Sequence, residues 1–353
     1  MIRNSSVLFR ADGCKKIGMG HLYRTNLLAS MFKQRFLFDA VLLSKNFYET
    51  KKFVAINKLE TIFMEYSLSV LSETKEIKYI IDDINPKIVV LDVLDNDQND
   101  IYIESLRGSN NDRYLIAITD DSNKRVIDAD LVINGNPNQL YKNYDGEKGR
   151  YLLGPQYFIM DSRYEIAKAG KPNGKINNIF ITFGGSDHNN LIFRILNILN
   201  NINKKMGYVF KVTAVVSKAS GYLPALKEFI SELSTEVILH VDVESLIPFF
   251  IQADISITAG GNTLFERIAT RLPGSTICQL KRQNEIANCF ESLGVNVNFG
   301  YYKDVSDDDL QNKILAFINN HQEHVNQYKR APDIITGKGL SLLKKELDFI
   351  LEV

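Results

Sequence analysis

Short apolar runs alternate with longer amphipathic or polar segments along the whole chain. In the first 135 residues the runs are "SVLFRA", "FDAVLLS", "TIFMEY", "KIVVLDVL", "RYLIAITD" and "ADLVING", spaced about 15 to 30 residues apart. Near-continuous apolarity is what a strand needs when helices cover both faces of its sheet, so these runs predict βαβ units and a parallel sheet. A crossing segment, "YLLGPQYFIMDSRYEIAKAGKPNGK", follows, and its Pro- and Gly-bearing end predicts a domain boundary near residue 173. The alternation then restarts: "NNIFITFGG", a helix from Asn189, "FKVTAVVS", a helix ending near Leu233, "VILHV", "ADISITAGG", a helix from Thr263, "GSTICQL" and a helix from Gln283. The pattern therefore reads as an α/β chain of two Rossmann-like parallel-sheet domains, 1–172 and 173–353, with a cleft expected between them. The tail from about 303 reads as helices, counted with the second domain although able to pack back on the first.

Composition narrows the class. The chain has 353 residues, 45% hydrophobic and 24% charged, enough for two cores of ordinary size. Lys+Arg and Asp+Glu are equal at 42 each, so there is no broad basic field of the kind nucleic acid attracts. The N-terminal apolar run is too short for a signal peptide, and no stretch approaches the roughly 18 apolar residues of a membrane span. Cys14, Cys278 and Cys289 are scattered without CxxC spacing, which argues against a disulfide framework or a zinc site and suits a reducing, cytoplasmic setting. Oligomeric state is not legible from any of this.

Candidate chemistry gathers at three glycine turns where a strand gives way to a helix: "GMGH" (18–21), "FGGSD" (183–187) and "TAGGNT" (258–263). In an open parallel sheet such turns lie at the carboxyl ends of the strands, and glycine lets the backbone N–H groups of a helix start approach a phosphate. Each turn alone is also compatible with a simple tight turn. Two of them in the second half favour a diphosphate site there, at Gly184, Gly185, Gly260, Gly261, Asn262 and Thr263, with Gln283 and Asn284 opening the helix after the next strand. Glu266, about one turn into the helix after "AGGNT", is placed to accept hydrogen bonds from a ribose, although a solvated helix glutamate fits the same pattern. No GxGxxG followed by an acidic residue about 20 positions on, and no GxxxxGK[ST], competes. His21 closes the first turn. Its ordinary pKa near neutrality suits proton transfer, and a buried or capping histidine would suit the position too.

The pieces "RADGCKKIGMGHLYRT", "VVLDVLD", "ITDD", "VINGN", "LLGPQYFIMDSRYE", "FITFGGSD" and "SITAGGNTLFERIATRLPG" with "KRQNEIAN" occur in an order that resembles the PseG/SpsG group of UDP-sugar hydrolases. That group is itself similar to MurG-type glycosyltransferases of GT-B fold. The resemblance, over roughly residues 6 to 300, implies a GT-B-like architecture, UDP bound mainly by the C-terminal domain, and the sugar facing the N-terminal glycine loop. It carries the catalytic role to His21 and implies sugar-side binding by Gly18, Gly20, Arg10, Asp12 and Asp92. It calls for no metal and no cofactor; the partner is a small-molecule UDP-sugar, with no nucleic acid and no stable membrane insertion. The implied reaction is hydrolysis of a UDP-linked diacetamido trideoxy sugar in nonulosonic acid biosynthesis for surface glycans. The alternative is a GT-B glycosyltransferase of surface polysaccharide assembly that uses the same donor. Where the hydrolases carry an aromatic-bearing stretch after the fourth strand, this chain has "LDVLDND", which leaves the sugar open.

Overall fold

The structure is a computed structural model, described for residues 5–14, 17–66, 69–93, 99–109, 113–121, 123, 126–185, 187 and 189–351. It divides into two compact units, one made of residues 1–160 with 339–353 and the other of residues 161–338.

The first unit runs β1 (Ser6–Ala11), α1 (Gly20–Phe36), β2 (Asp39–Lys45), α2 (Tyr48–Asn57), β3 (Glu60–Met64), α3 (Val70–Ile84), β4 (Ile88–Asp92), α4 (Asn99–Arg107), β5 (Tyr114–Ile118), β6 (Leu131–Asn134) and β7 (Arg150–Leu153). All seven strands are parallel, in the order β3-β2-β1-β4-β5-β6-β7. Alternation along β1 explains the layers. Val7, Phe9 and Ala11 face a core with Phe32 and Phe36 of α1, whereas Leu8 faces Ile77 and Ile81 of α3 and Leu106 of α4. Leu28, Met31 and Phe32, spaced along one face of α1, are all buried. The chain order reverses between β1 and β4, so their carboxyl ends open at the topological switch point where such sheets hold ligands.

The second unit comprises β8 (Asn178–Thr182), α5 (Leu191–Met206), β9 (Lys211–Val216), α6 (Leu223–Ser231), β10 (Val237–Val241), α7 (Ile247–Gln252), β11 (Ile255–Thr258), α8 (Asn262–Ala269), β12 (Gly274–Cys278), α9 (Lys281–Ser292), β13 (Val297–Tyr301), α10 (Asp307–Asn319) and α11 (His321–Ile334). Its six strands are parallel in the order β10-β9-β8-β11-β12-β13, with the switch point between β8 and β11, the strands that precede "FGGSD" and "TAGGNT". Ile179 and Ile181 of β8 pack with Ile195 and Leu199 of α5 and Leu310 and Ile314 of α10.

Two sequence expectations are corrected. β7 and β13 were hidden, the first because its four residues lie inside the crossing segment. The division also falls at Met160/Asp161, ahead of the expected 173, because residues 164–169 are tied to α8 by Lys168 and Ala169. The last helix, α12 (Gly339–Ile350), belongs to the first unit. Leu343 and Leu347 are buried in the α1 core, Arg35 meets Asp348 at 3.1 Å, and a Cβ on Gly339 would lie 2.1 Å from the Phe158 carbonyl oxygen, so glycine alone permits that approach.

Candidate active site

Three adjacent strands of the first sheet deliver one polar cluster. Asp92 ends β4 beside Ala11 of β1, Asp120 follows β5 by two residues, and α1, which leaves the glycine loop after β1, carries His21 and Arg24 one turn apart. His21 Nδ1 lies 2.7 Å from Asp92 Oδ1, with both side chains buried. Arg24 grips Asp92 with Nε to Oδ2 at 3.0 Å and Nη2 to Oδ1 at 2.6 Å, and reaches Asp120 with Nη1 at 2.7 Å. Arg24 Nη2, which only donates, lies 3.1 Å from the same Nδ1 but 2.6 Å from Asp92 Oδ1, so its hydrogen bond goes to the carboxylate. The carboxylate in turn only accepts, so the bond to Asp92 places a proton on Nδ1 and leaves Nε2 as the other ring position. Nε2 makes no hydrogen bond to a described residue. The guanidinium sits where a cation would be held between two aspartates, and among the described residues no group of three or more His, Cys, Asp or Glu side chains is arranged to hold a metal.

The loop that presents His21 is shaped locally. Gly18 has φ +90°, and its N–H bonds the Cys14 carbonyl at 2.7 Å; Gly20 opens α1, whose N-cap, Met19, provides no side-chain cap. Lys15 and Lys16 lie outside the described residues.

Arg10 and Asp12, expected on the sugar side, are buried and paired with one another. Arg10 is 1% exposed and pairs at 2.8 Å with Asp12 and with Glu73 of α3. Asp12 Oδ1 also accepts the Lys45 N–H at 2.8 Å. Burial alone would raise the Asp12 carboxyl, but Arg10 and the Lys45 N–H outweigh it and hold the group below the usual carboxylate range. Asp92, also expected on the sugar side, is bonded to His21 and Arg24. Arg24, Asp120 and Glu73 were not singled out from the sequence, although Arg24 and Asp120 lie inside quoted motifs; an arginine three residues after His21 on one helix face was the available signal.

In the second unit the two glycine turns differ. After β8, the Asp187 carboxylate accepts the Leu191 and Ile192 N–H groups at 3.0 and 2.9 Å, so the start of α5 is capped by the chain's own anion and is not open to a phosphate. Gly184 (φ +80°) and Gly185 remain open: a Cβ on either would meet nothing within 4 Å. Ser186 and His188 lie outside the described residues. After β11, Gly261 caps α8 with no side-chain bond, which leaves the first N–H groups of that helix without an internal carboxylate. Asn262 is exposed and Thr263 buried. Gly260 is held tightly, since a Cβ there would lie 2.9 Å from Cys278 Sγ. Gln283 Oε1 accepts the Gln279 N–H at 3.0 Å, and Gln279 Nε2 donates to the Phe183 carbonyl at 2.8 Å, tying the β8 turn to the segment between β12 and α9. Asn284 is turned to Asn298, whose Nδ2 donates to its Oδ1 at 2.8 Å.

Glu266 is half-buried one turn into α8. Burial pushes its carboxyl up to about 7; a hydrogen bond from Tyr164 opposes the rise and Asp161 adds to it. Next to it, Arg267 is fully buried among the Leu272 and Val295 carbonyls and Asn296 Oδ1, and burial brings it down to about 9.

Two Rossmann-like units, each with its polar loops at the switch point of a parallel sheet, define a GT-B-like α/β fold. Acinetobacter baumannii MurG shares it at TM-score 0.68 and 12% identity, over 97% of this chain and 99% of that one. An S. aureus MnaA structure with UDP shares it at TM-score 0.62 and 10% identity, over 99% and 97%. No family model matches the chain. The SpsG/PseG likeness carried by the motifs extends along nearly the whole sequence. The spore coat polysaccharide biosynthesis protein SpsG of Bacillus subtilis is 25% identical over 94% of both chains. The UDP-2,4-diacetamido-2,4,6-trideoxy-β-L-altropyranose hydrolase of Campylobacter jejuni is 22% identical over 84% of this chain and 99% of its own. No described helix is long and apolar enough to cross a membrane.

Proposed function

We propose that this protein is a UDP-sugar-using enzyme of surface-polysaccharide biosynthesis and, within that class, a hydrolase that releases a diacetamido trideoxy sugar from UDP. The observation that carries the reading is the 2.7 Å bond from His21 Nδ1 to Asp92, which leaves Nε2 as the proton acceptor. The likeness to SpsG supports the broader class, and the likeness to the Campylobacter hydrolase supports the narrower reaction.

In this mechanism a water oxygen forms a bond to C1 of the sugar while the C1–O bond to UDP breaks. The water proton passes to His21 Nε2, and Asp92 offsets the charge the imidazolium then carries. Arg24 keeps Asp92 in place through its two-point grip. The departing diphosphate is stabilised by the uncapped start of α8, with Gly184 and Gly185 leaving room for backbone approach and Glu266 accepting from the ribose.

Purified protein incubated with the UDP-linked diacetamido sugar and no acceptor should release free sugar and UDP in equal amounts. UDP release that appears only when a sugar or lipid-linked acceptor is added would instead make the protein a glycosyltransferase, with an acceptor hydroxyl in place of water.

A further inference from the structure

Asp120 differs from the other acids that pair with Arg10 and Arg24. Asp12, Glu73 and Asp92 have buried side chains, each held by one of those two arginines. The Asp120 side chain is 48% exposed, although the buried Arg24 that grips Asp92 holds it as well. Arg24 meets it at two points, Nη1 to Oδ1 at 2.7 Å and Nη2 to Oδ2 at 3.0 Å. The same Nη2 lies 3.1 Å from His21 Nδ1, so a single guanidinium nitrogen stands between the Asp120 carboxylate and the imidazole.

The turn that carries Asp120 is fixed as firmly as its side chain. The Asp120 carbonyl accepts from Asn136 Nδ2 at 3.4 Å, and the Asp121 carbonyl accepts from Asn134 Nδ2 and from Gln139 Nε2, each at 2.9 Å. Asn134, Asn136 and Gln139 are all buried. Three buried amides and a buried arginine thus hold one carboxylate that faces solvent. Stability gains little from an ion pair with an exposed member, so the arrangement is better matched to recognition. An acceptor whose direction is set in advance loses little freedom when a ligand arrives.

The chemistry of the group narrows what it recognises. An ionised carboxylate only accepts hydrogen bonds, so its partner is an O–H or N–H donor. Its negative charge disfavours phosphate, which leaves the neutral ring of a nucleotide sugar, with its hydroxyl and amide donors, as the complementary part. We infer that Asp120 binds the sugar of the donor, its carboxylate accepting from a hydroxyl or an amide N–H on the ring. It takes the sugar-side place expected of Arg10, Asp12 and Asp92, whose side chains are buried. The proposal rests on the UDP-sugar reading above and adds to it a residue that the reading does not use.

Titration calorimetry with UDP and with the UDP-linked diacetamido sugar tests it, on the full chain in a His21→Asn background that keeps the sugar nucleotide intact. Asp120→Ala is expected to weaken the sugar nucleotide about ten- to a hundredfold, as loss of a hydrogen bond to a charged group does, and to leave UDP unchanged. Asp120→Asn retains one acceptor oxygen and should lose about three- to tenfold. Arg24 keeps both bonds to Asp92 in either variant, so both are expected to fold. Should Asp120→Ala fail to fold, the isosteric Asp120→Asn decides alone. Unchanged affinity for the sugar nucleotide, the result of a carboxylate that only steadies Arg24, overturns the proposal, and so does an equal loss for UDP. A His21→Asn protein that binds UDP but not the UDP-linked diacetamido sugar sinks the sugar reading and this proposal with it, an outcome seen before Asp120 is altered and so distinct from sugar binding that ignores Asp120.

Discussion

Asp92 Oδ1 lies 2.7 Å from His21 Nδ1 although 71 residues separate them in the chain. The bond joins the end of one strand to the helix that follows its neighbour, and it engages Nδ1 of the ring.

If His21 Nε2 takes the proton from water, His21→Ala or His21→Asn should lower kcat by roughly 10²- to 10⁴-fold, with UDP affinity nearly unchanged. Turnover, UDP affinity and melting temperature measured on the same variant separate this from a structural role. A destabilised but fully active protein would remove His21 from the reaction.

Asp92→Asn keeps the size of the side chain but offers an amide that can donate to Nδ1 and so stabilise the opposite tautomer. A loss of kcat on the order of 10²- to 10⁴-fold with a folded protein is expected. Arg24→Met acts differently: it leaves the buried Asp92 without a cation and should cost about 3 to 5 kcal/mol of stability, read by denaturant unfolding of the first unit. Equal stability of Arg24→Met and parent would contradict the assigned pairing.

Nucleotide affinity should depend on pH through Glu266. Its carboxyl is pushed up to about 7, so the ionised acceptor form dominates above that value and is lost below it. UDP binding is therefore expected to tighten from pH 6 to pH 8, and Glu266→Gln to flatten that part of the profile. The sign for stability is opposite. A carboxyl raised from 4.5 binds its proton more strongly in the folded state, so its contribution is fully present below 4.5 and is lost as pH rises through 7. A pH-independent UDP affinity in the parent would speak against Glu266 meeting the ribose.

The glycines can be told apart by adding one carbon. Gly185→Ala meets nothing within 4 Å, so the protein should fold as the parent does while UDP-sugar affinity falls if a ligand approaches that backbone. Gly260→Ala places Cβ 2.9 Å from Cys278 Sγ and 3.1 Å from the Gln283 carbonyl oxygen and should lower the melting temperature even without ligand. Full affinity in Gly185→Ala would move the ligand away from the β8 turn.

Activity is expected to survive EDTA, because helix N–H groups can neutralise a diphosphate and the chain has neither HExxH nor a DxD in a glycine turn. Loss on chelation, restored by magnesium or manganese, would reverse this expectation.

The sequence by itself determined the two α/β halves and most of their strands, since a run such as "KIVVLDVL" is apolar on both faces and can be satisfied only inside a covered parallel sheet. It also marked the three glycine turns and His21, because turn chemistry and residue type are local properties. Tertiary structure alone decided the partners. Nothing in the spacing of Asp92, Asp120 and Arg24 announces that β1, β4 and β5 are neighbours, and it is strand order that gathers them around His21. The same holds for Arg10 and Asp12, whose ionic partner Glu73 comes from α3, and for Asp187, whose capping of α5 closes a helix start that the glycine pattern left open. Gly339–Ile350 returned to the first unit because Leu343 and Leu347 found their apolar surface there. Local sequence sets which conformations a segment can adopt, while burial of charge and of apolar surface is settled by segments far away in the chain, and those contacts exist only once the sheets have formed.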